Sequence, residues 1–392
     1  TKILYKMEVK RIYTLVKSVS NEVLGTTARV KEGLTGIVDM GTEVFNQNAV
    51  DNYVKSLVNH IGKVIFVNRP YAGKVPSVLM DAWEFGSVLE KISADIPQAT
   101  ENESWALTDG KEYSQDVFHK PVVTAKFFNS KVTFEVPVSI TEKQVKESFS
   151  NAEQLNGFIS MIYSAVDKSM TIKADALIMR TINNMVAETF KADATAFAGD
   201  YSKASTNRCV NLLKLYNDKF GTKLTPQVAI LNPEFIRFAS YTIGMYADRL
   251  GSISTLFNIG GKARFTGSDM LHLVLLTDFA KGADTYLYSD TKNYQFVTLG
   301  KHETVPCWQA SGQSYSFNDV STIEVKTASG TDVKVTGVIG VMFDRDALGV
   351  SNLDRRVTSN YNAKAEFFNN YFKFDAGYFN DTNENFVVFY MA

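Results

Sequence analysis

The residues whose types could do chemistry are few in this chain and stand apart from one another. Its four histidines lack the paired spacing that zinc sites use. They are His60, His119, His272 and His302. A histidine without a spaced partner is typical of a structural side chain, so we interpret none of the four as a metal ligand or a catalytic base.

The two cysteines, Cys209 and Cys307, show no spacing that is typical of a metal site or a redox pair. Each has an apolar neighbour, Val210 in one case and Trp308 in the other. Isolated thiols of this kind behave as small buried hydrophobic side chains. We therefore predict two free cysteines rather than a disulfide or a ligand pair.

Three short motifs approach catalytic or nucleotide-binding patterns without completing them. Residues 260–262 (Gly-Gly-Lys) resemble a phosphate-binding loop, yet the upstream Gly is missing and Ala263 stands where Ser or Thr must be. Ser314 lacks the second Gly of a nucleophile elbow. The Asp-Arg-Asp run at 344–346 is typical of a local salt bridge in a turn. The sequence therefore predicts no catalytic, metal or cofactor site, and it favours structural work over an enzyme.

Composition excludes several classes of protein. The chain has 392 residues, of which 45% are hydrophobic and 21% charged, so it is long enough for a large core. Its formal net charge of −1 excludes a strong polyanion binder. No apolar run is long enough to span a membrane, and the first residues lack the apolar core of a secretory signal. We expect a soluble, intracellular chain when it is made, with no membrane partner.

One long helix is the clearest element in the sequence. It opens with a capping box at residues 150–153 (Ser-Asn-Ala-Glu) and meets no Pro before residue 190. We predict a continuous helix over 153–190, roughly 55–60 Å long at about 1.5 Å per residue. That length suits a subunit that must reach across an assembly. Apolar residues recur along it at steps of three or four, among them Ile162, Val166, Met170, Leu177, Ile178, Ile182, Met185, Val186 and Phe190.

The first 31 residues predict an amphipathic helix with a basic outer face. That face has two interpretations, a basic arm that touches nucleic acid or a partner, and a solvated helix docked on its own subunit. A second helix is predicted at residues 47–61, with Gly62 as its C-cap.

A long β excursion separates these segments from the long helix. Residues 63–79 and 84–92 are rich in strand-forming residues, and residues 97–110 are polar and acidic. Residues 131–139 alternate apolar and polar side chains, which predicts a half-buried strand. A two-stranded ribbon of this length does not stand alone in water. Because the sequence offers no obvious surface for it within the same chain, we expect a partner to cover it.

The region after the long helix mixes shorter helices and strands. We predict helices at 206–220 and from Pro233 onward. The tail, residues 361–392, alternates large aromatic residues with Asn and Asp, and it finishes on a predicted strand at 385–391. Segments on both sides of the middle region are expected to share one sheet, so the middle is an insertion. The other predicted strands lie at 227–232, 271–277, 285–289, 295–299, 321–327 and 334–343.

The order of these elements resembles the major capsid protein of tailed bacteriophages, the Hong Kong 97-type fold. The closing segment, residues 361–389, looks like the last part of the peripheral (P) domain of such proteins. Residues 48–65 are similar to the arm region in small short-tailed phages of Gram-positive hosts. The resemblance implies an α+β fold divided into an N-terminal arm with its helix (1–62), an extended β loop or E-loop (63–140), a first part of the P domain with the spine helix (141–203), an axial (A) domain (204–333) and a P-domain return (334–392).

The resemblance also implies a function. The chain is expected to self-assemble into hexamers and pentamers of an icosahedral phage head that encloses double-stranded DNA, bound without specificity. A separate scaffolding protein and a portal are implied as partners, with assembly in the host cytoplasm and a final place in the virion. In this family the E-loop lies across a neighbouring subunit. We therefore expect interface residues at its tip, namely Glu101, Glu103, Trp105 and Asp109.

We expect no appended immunoglobulin-like domain, which some relatives carry, and no spacing in the sequence singles out a crosslinking Lys, Asn and Glu triplet. Two other hypotheses remain beside the phage shell. One is an encapsulin-like nanocompartment, although those shell proteins are usually much shorter. The other is a β-rich bacterial surface adhesin, against which the long helix and the missing secretion signal count. An enzyme with an unrecognised active site is a third, weaker alternative.

Overall fold

The computed structural model describes residues 75–80, 89–97, 99, 101–113, 116, 118–141, 143, 152–288, 301–309 and 314–392. Within these ranges helices and strands are mixed along the chain, which confirms the predicted α+β class. The helices predicted at 1–31 and 47–61, the capping box at 150–153 and the strand at 295–299 lie at least partly outside the described residues. The predicted division into five segments stays a prediction.

The strands lie in the segment before the long helix, in the middle of the chain and near its carboxyl end. They are β1 (Leu79–Met80), β2 (Leu89–Ala94), β3 (Val123–Phe128), β4 (Lys131–Thr141), β5 (Cys209–Asn211), β6 (Leu271–Leu276), β7 (Glu303–Val305), β8 (Ile323–Lys326), β9 (Asp332–Val335), β10 (Val338–Asp344), β11 (Leu348–Asn362), β12 (Phe367–Asn380) and β13 (Phe386–Tyr390).

The helices are dominated by one long element. They are α1 (Ala152–Ala192), α2 (Ala194–Phe197), α3 (Leu212–Phe220), α4 (Pro226–Ala229), α5 (Pro233–Leu250), α6 (Thr277–Tyr288) and α7 (Phe317–Val320). The predicted long helix is confirmed by α1, whose 41 residues extend about 60 Å at 1.5 Å per residue. The apolar residues predicted for its buried face are buried from Ile162 to Phe190.

The chain divides into two compact units. Among the described residues, the first comprises 75–76, 131–177 and 351–377, and the second comprises 77–130, 178–350 and 378–392.

In the first unit, β4 pairs with β12 in an antiparallel ladder that runs from Lys131↔Gly377 to Thr141↔Phe367. Burial alternates along β4, which confirms the strand predicted at 131–139. Strands β4 and β12 come from opposite sides of the middle region of the chain. The prediction that segments on both sides of this region share one sheet is therefore confirmed. Within this unit, β12 also has β11 as its neighbour on the other edge.

In the second unit, a five-stranded sheet has the order β5–β13–β10–β6–β7. The strand predicted near the carboxyl end is confirmed as β13, which lies between β5 and β10 and is buried along its whole length. Gly337, at φ +88°, lies so close to the carbonyl oxygen of Met391 that a Cβ would overlap it. The core around the sheet includes Val210, Leu213, Phe235, Ile243, Leu275, Phe279, Ile339, Val387 and Phe389.

Two predicted strands of the middle region are wrong. Residues 227–232 contain the end of α4, because Pro226 takes the first helical position after Thr225 and starts a turn. Residues 285–289 begin inside α6, where Phe279, Ala280 and Ala283 are buried at helical spacing. Both apolar runs were too short for periodicity alone to separate strand from helix.

Helix α3 begins later than predicted. Residues 209–211 pair with β13 as β5, and the Asn211 side chain then accepts a hydrogen bond from the backbone N–H of Lys214, which caps the helix. The helix ends at Gly221 with left-handed backbone, as its Gly predicts. The helix predicted from Pro233 is confirmed by α5, which Asn232 caps in the same way.

Candidate assembly interface

The β2–β3 ribbon is an antiparallel pair in the second unit, in register from Leu89↔Phe128 to Ala94↔Val123. The two strands are joined by residues 95–122, and the backbone N–H of Asp95 donates to the carbonyl of Val122 where that connection begins. Because side chains alternate along a strand, the ribbon has two faces of different composition. We call them the outer face and the inner face.

The outer face is mainly apolar and open to solvent. It carries Ile92 and Ala94 from β2, and Val123, Ala125 and Phe127 from β3, all exposed, together with the charged side chain of Glu90. Ile92 and Phe127 are 66% and 65% exposed. Large apolar side chains grouped on one exposed surface mark interaction sites in soluble proteins.

The loop between the strands extends this apolar surface. Trp105 is 98% exposed and Phe118 is 85% exposed, and Leu107 also faces solvent. The loop has local order, since the backbone N–H of Ser104 donates to Asn102 and that of Thr108 donates to the Tyr113 hydroxyl. It therefore presents an aromatic side chain on a defined turn (Glu103–Trp105) rather than within a core.

The inner face is polar and contacts its own subunit. Lys91 and Lys126 lie directly opposite each other in the ribbon, where two like charges repel. Asp381 relieves that repulsion because one carboxylate oxygen lies 2.9 Å from Lys91 Nζ and the other lies 2.8 Å from Lys126 Nζ. Lys91 Nζ also lies 2.9 Å from the carboxylate of Glu384.

The charged side chains shift one another's pKa values. Burial alone would raise the pKa of Asp381, but hydrogen bonds from Lys126 and Lys91 hold it below its usual range. Burial alone would lower the pKa of Lys91, but the hydrogen bonds to Glu384 and Asp381 raise it above its usual value. Asp381 and Lys91 are thus both charged across the neutral pH range.

The structure places the predicted tip residues on the loop. Glu101, Trp105 and Asp109 are exposed there, and Glu103 opens the short 3-10 turn. The expectation that the chain offers no surface for its ribbon is wrong, because the inner face pairs with Asp381 and Glu384 of the same chain.

The sequence interpretation also missed the apolar outer face. The signal for it was present in the alternation of Leu, Lys and Ser with Glu, Ile and Ala over residues 89–94, which separates two faces at strand period.

The motifs considered for chemistry have structural partners. Cys209 is buried and Cys307 is half-buried, and the two form no disulfide with each other, as predicted. Lys262 of the Gly-Gly-Lys run lies 2.7 Å from a carboxylate oxygen of Asp95. Asp344 accepts hydrogen bonds from the Thr266 hydroxyl at 2.8 Å and from a backbone N–H, and burial raises its pKa.

Two negative findings apply to the ranges that the structure describes. There, no group of three or more His, Cys, Asp or Glu side chains is placed to hold a metal ion. In the same ranges, no helix combines the length and apolar character needed to cross a membrane.

The family model for Phi29-like phage major capsid proteins matches residues 12–390 of the chain. The chain belongs to this family. Family membership confirms the resemblance to phage major capsid proteins, and it makes the chain a structural component of a phage virion. Together with the mixed helix and sheet architecture, it supports the predicted Hong Kong 97-type capsid fold.

Solved structures similar to this phage capsid protein are also phage capsids. The capsid structure of Staphylococcus phage Andhra is 8% identical with a TM-score of 0.45, over 83% of this chain and 86% of that chain. That of Cyanophage P-SCSP1u is 13% identical with a TM-score of 0.45, over 83% and 90%. The mature capsid of bacteriophage PhiM1 is 8% identical with a TM-score of 0.40, over 83% and 89%. No curated protein matches the chain in sequence.

Proposed function

We propose that copies of this chain assemble into hexamers and pentamers of an icosahedral head that encloses double-stranded DNA. In this proposal the outer face of the β2–β3 ribbon and its loop bind a neighbouring subunit. The observation that carries it is the asymmetry of the ribbon, whose inner face is occupied by its own chain while its outer face is apolar and exposed.

Energetics support a subunit contact at the loop. Burying a large apolar side chain contributes about 1.5–3 kcal/mol by the area removed from water. Trp105 and Phe118 contribute nothing of this kind in the single subunit, because both are almost fully exposed. Tryptophan is also enriched among the residues that dominate binding energy in interfaces. We assign Trp105 the role of anchor, with Glu101, Glu103 and Asp109 forming a polar rim around it.

The remaining partners follow from the proposed assembly. The near-neutral chain suits a container that holds DNA without sequence recognition. A separate scaffolding protein would shape the shell, a portal would occupy one vertex, and assembly would take place in the host cytoplasm. The subunit would work without a catalytic step or a cofactor.

Assembly of aromatic-to-alanine variants tests the proposal. The test variant combines Trp105→Ala with Phe118→Ala, and the matched control is Phe220→Ala, which removes an exposed aromatic ring at the end of α3. Light scattering and negative-stain microscopy report shell formation, and thermal unfolding of the free subunit reports folding. We expect the test variant to fold normally but not to form shells, and the control to form them. Normal shells from the test variant would overturn the role of the loop.

A further inference from the structure

The Lys91 ammonium lies in a complete set of three acceptors. They are a carboxylate oxygen of Asp381 at 2.9 Å, one of Glu384 at 2.9 Å and the backbone carbonyl of Asp346 at 3.1 Å. A lysine ammonium has three N–H donors and no acceptor, so each donor has one partner here. Two of these partners lie in the connection between β12 and β13, and the third lies in the turn before β11.

Asp381 joins both strands of the ribbon to this connection. It binds Lys91 of β2 through one oxygen and Lys126 of β3 through the other. The carboxylate is itself oriented by the backbone N–H of Asn383, which donates to it at 3.0 Å. Only 2% of the Asp381 side chain is exposed, so solvent screens these pairs far less than it screens a surface ion pair.

Further contacts lie at the two ends of the ribbon strands. Next to β2, Asp95 pairs with Lys262 at 2.7 Å. At the opposite end, Phe128 contacts the Phe379 ring, with 5.1 Å between the ring centroids. Glu384 has a second cationic partner, because Arg264 Nε lies 3.4 Å from its carboxylate oxygen. The inner face is therefore attached along its whole length, and mainly through charges.

We infer that Lys91, Lys126, Asp381 and Glu384 form an ionic latch that fixes the ribbon on its own subunit before any neighbour binds. A ribbon without the latch would have to be ordered at the moment of association, which costs conformational entropy. With the latch, the outer face is presented in one orientation from the start. The part of this inference that concerns presentation to a neighbour rests on the proposed function, whereas the attachment in the free subunit does not.

Hydrogen exchange of the free subunit tests the attachment. Removing only the lysines would leave two buried carboxylates without their lysine partners. The test variant therefore neutralises all four groups, as Lys91→Met, Lys126→Met, Asp381→Asn and Glu384→Gln. The matched control is Lys334→Met with Glu324→Gln, which removes an exposed ion pair from the β8–β9 hairpin. We expect the amides of β2 and β3 to exchange at least about tenfold faster in the test variant only, with β10 and β13 unchanged.

Two results would overturn the latch. One is unchanged exchange in β2 and β3, and the other is equal acceleration in β10 and β13, which would report general destabilisation. The assembly rate of the same variants then tests presentation, and we expect it to fall at least about tenfold for the test variant alone. If the test variant exchanges faster in β2 and β3 but assembles at the wild-type rate, the claim that the latch presents the outer face to a neighbour is contradicted. Failure of the wild-type chain to form shells would instead refute the proposed function and leave the exchange result standing.

Discussion

The β2–β3 ribbon and strand β13 are both short β elements rich in apolar residues, yet they use those residues in opposite ways. All five residues of β13 are buried between two neighbouring strands. In the ribbon, most of the large apolar side chains point to solvent, whereas Lys91 and Lys126 point to the subunit. In our proposal, the chain stabilises itself through one set of apolar strands and uses another set for association. The predictions below test that division.

Removing residues 385–392 should have the largest effect. The truncation deletes β13, an internal strand of the five-stranded sheet that pairs with both β5 and β10. It also exposes apolar surface on both neighbours, so we expect insoluble protein rather than a mildly altered subunit. Soluble expression and thermal unfolding measure the outcome. Intact shells from the truncated chain would show that β13 is dispensable and would refute its role as the core strand.

A matched pair of phenylalanines compares the two regions directly. Phe389 of β13 is fully buried and packs edge-on to Tyr246, with ring centroids 5.6 Å apart, whereas Phe127 of β3 is 65% exposed. We expect Phe389→Ala to cost about 3–5 kcal/mol of unfolding free energy, because it leaves a cavity. We expect Phe127→Ala to stay within about 0.5 kcal/mol, as surface substitutions usually do.

Denaturant unfolding measures both phenylalanine variants, and shell formation is measured beside it. Phe127→Ala should weaken assembly although it leaves folding unchanged. Equal destabilisation by the two substitutions would remove the distinction between core strand and ribbon.

The clear parts of the fold were predictable because their patterns are local. Helix α1 has apolar residues at steps of three or four and no Pro to interrupt it, and β13 is an unbroken run of strand-forming residues. The latch was not predictable in this way, since Lys91 and Glu384 lie 293 residues apart in sequence. The same applies to residues 227–232 and 285–289, whose short apolar runs fit either strand or helix until packing decides.

Only part of the candidate site was predicted from the sequence, for a similar reason. Acidic composition pointed to residues 97–110 as an exposed loop, and Trp105 was recognised within it. The apolar outer face was overlooked because its side chains are spread over two strands that become neighbours only when the ribbon pairs.

A smaller effect is expected from pH at the base of the ribbon. The folded pKa of Asp381 lies below its ordinary value, so its contribution to stability is present above about pH 4 and is lost as the pH falls through the lowered pKa. Asp381→Asn should therefore cost about 1.5–3 kcal/mol at neutral pH, the range for hydrogen bonds to charged groups. Below pH 4 the difference in unfolding free energy between the variant and the wild type should become smaller.

Denaturant titrations at several pH values measure this difference. The control is Glu324→Gln, an exposed partner of Lys334, for which we expect less than about 0.5 kcal/mol at every pH. A difference for Asp381→Asn that stays constant down to pH 2 would mean that the carboxylate charge does not hold the ribbon.

Limited proteolysis of free subunits and of assembled particles tests the central claim most directly, namely that the ribbon loop packs on a neighbouring subunit. The loop is exposed in the single chain, with Trp105 98% open to solvent. We predict rapid cleavage within residues 95–110 in free subunits and strong protection of the same bonds in particles. Cleavage at equal rates in both states would contradict the account.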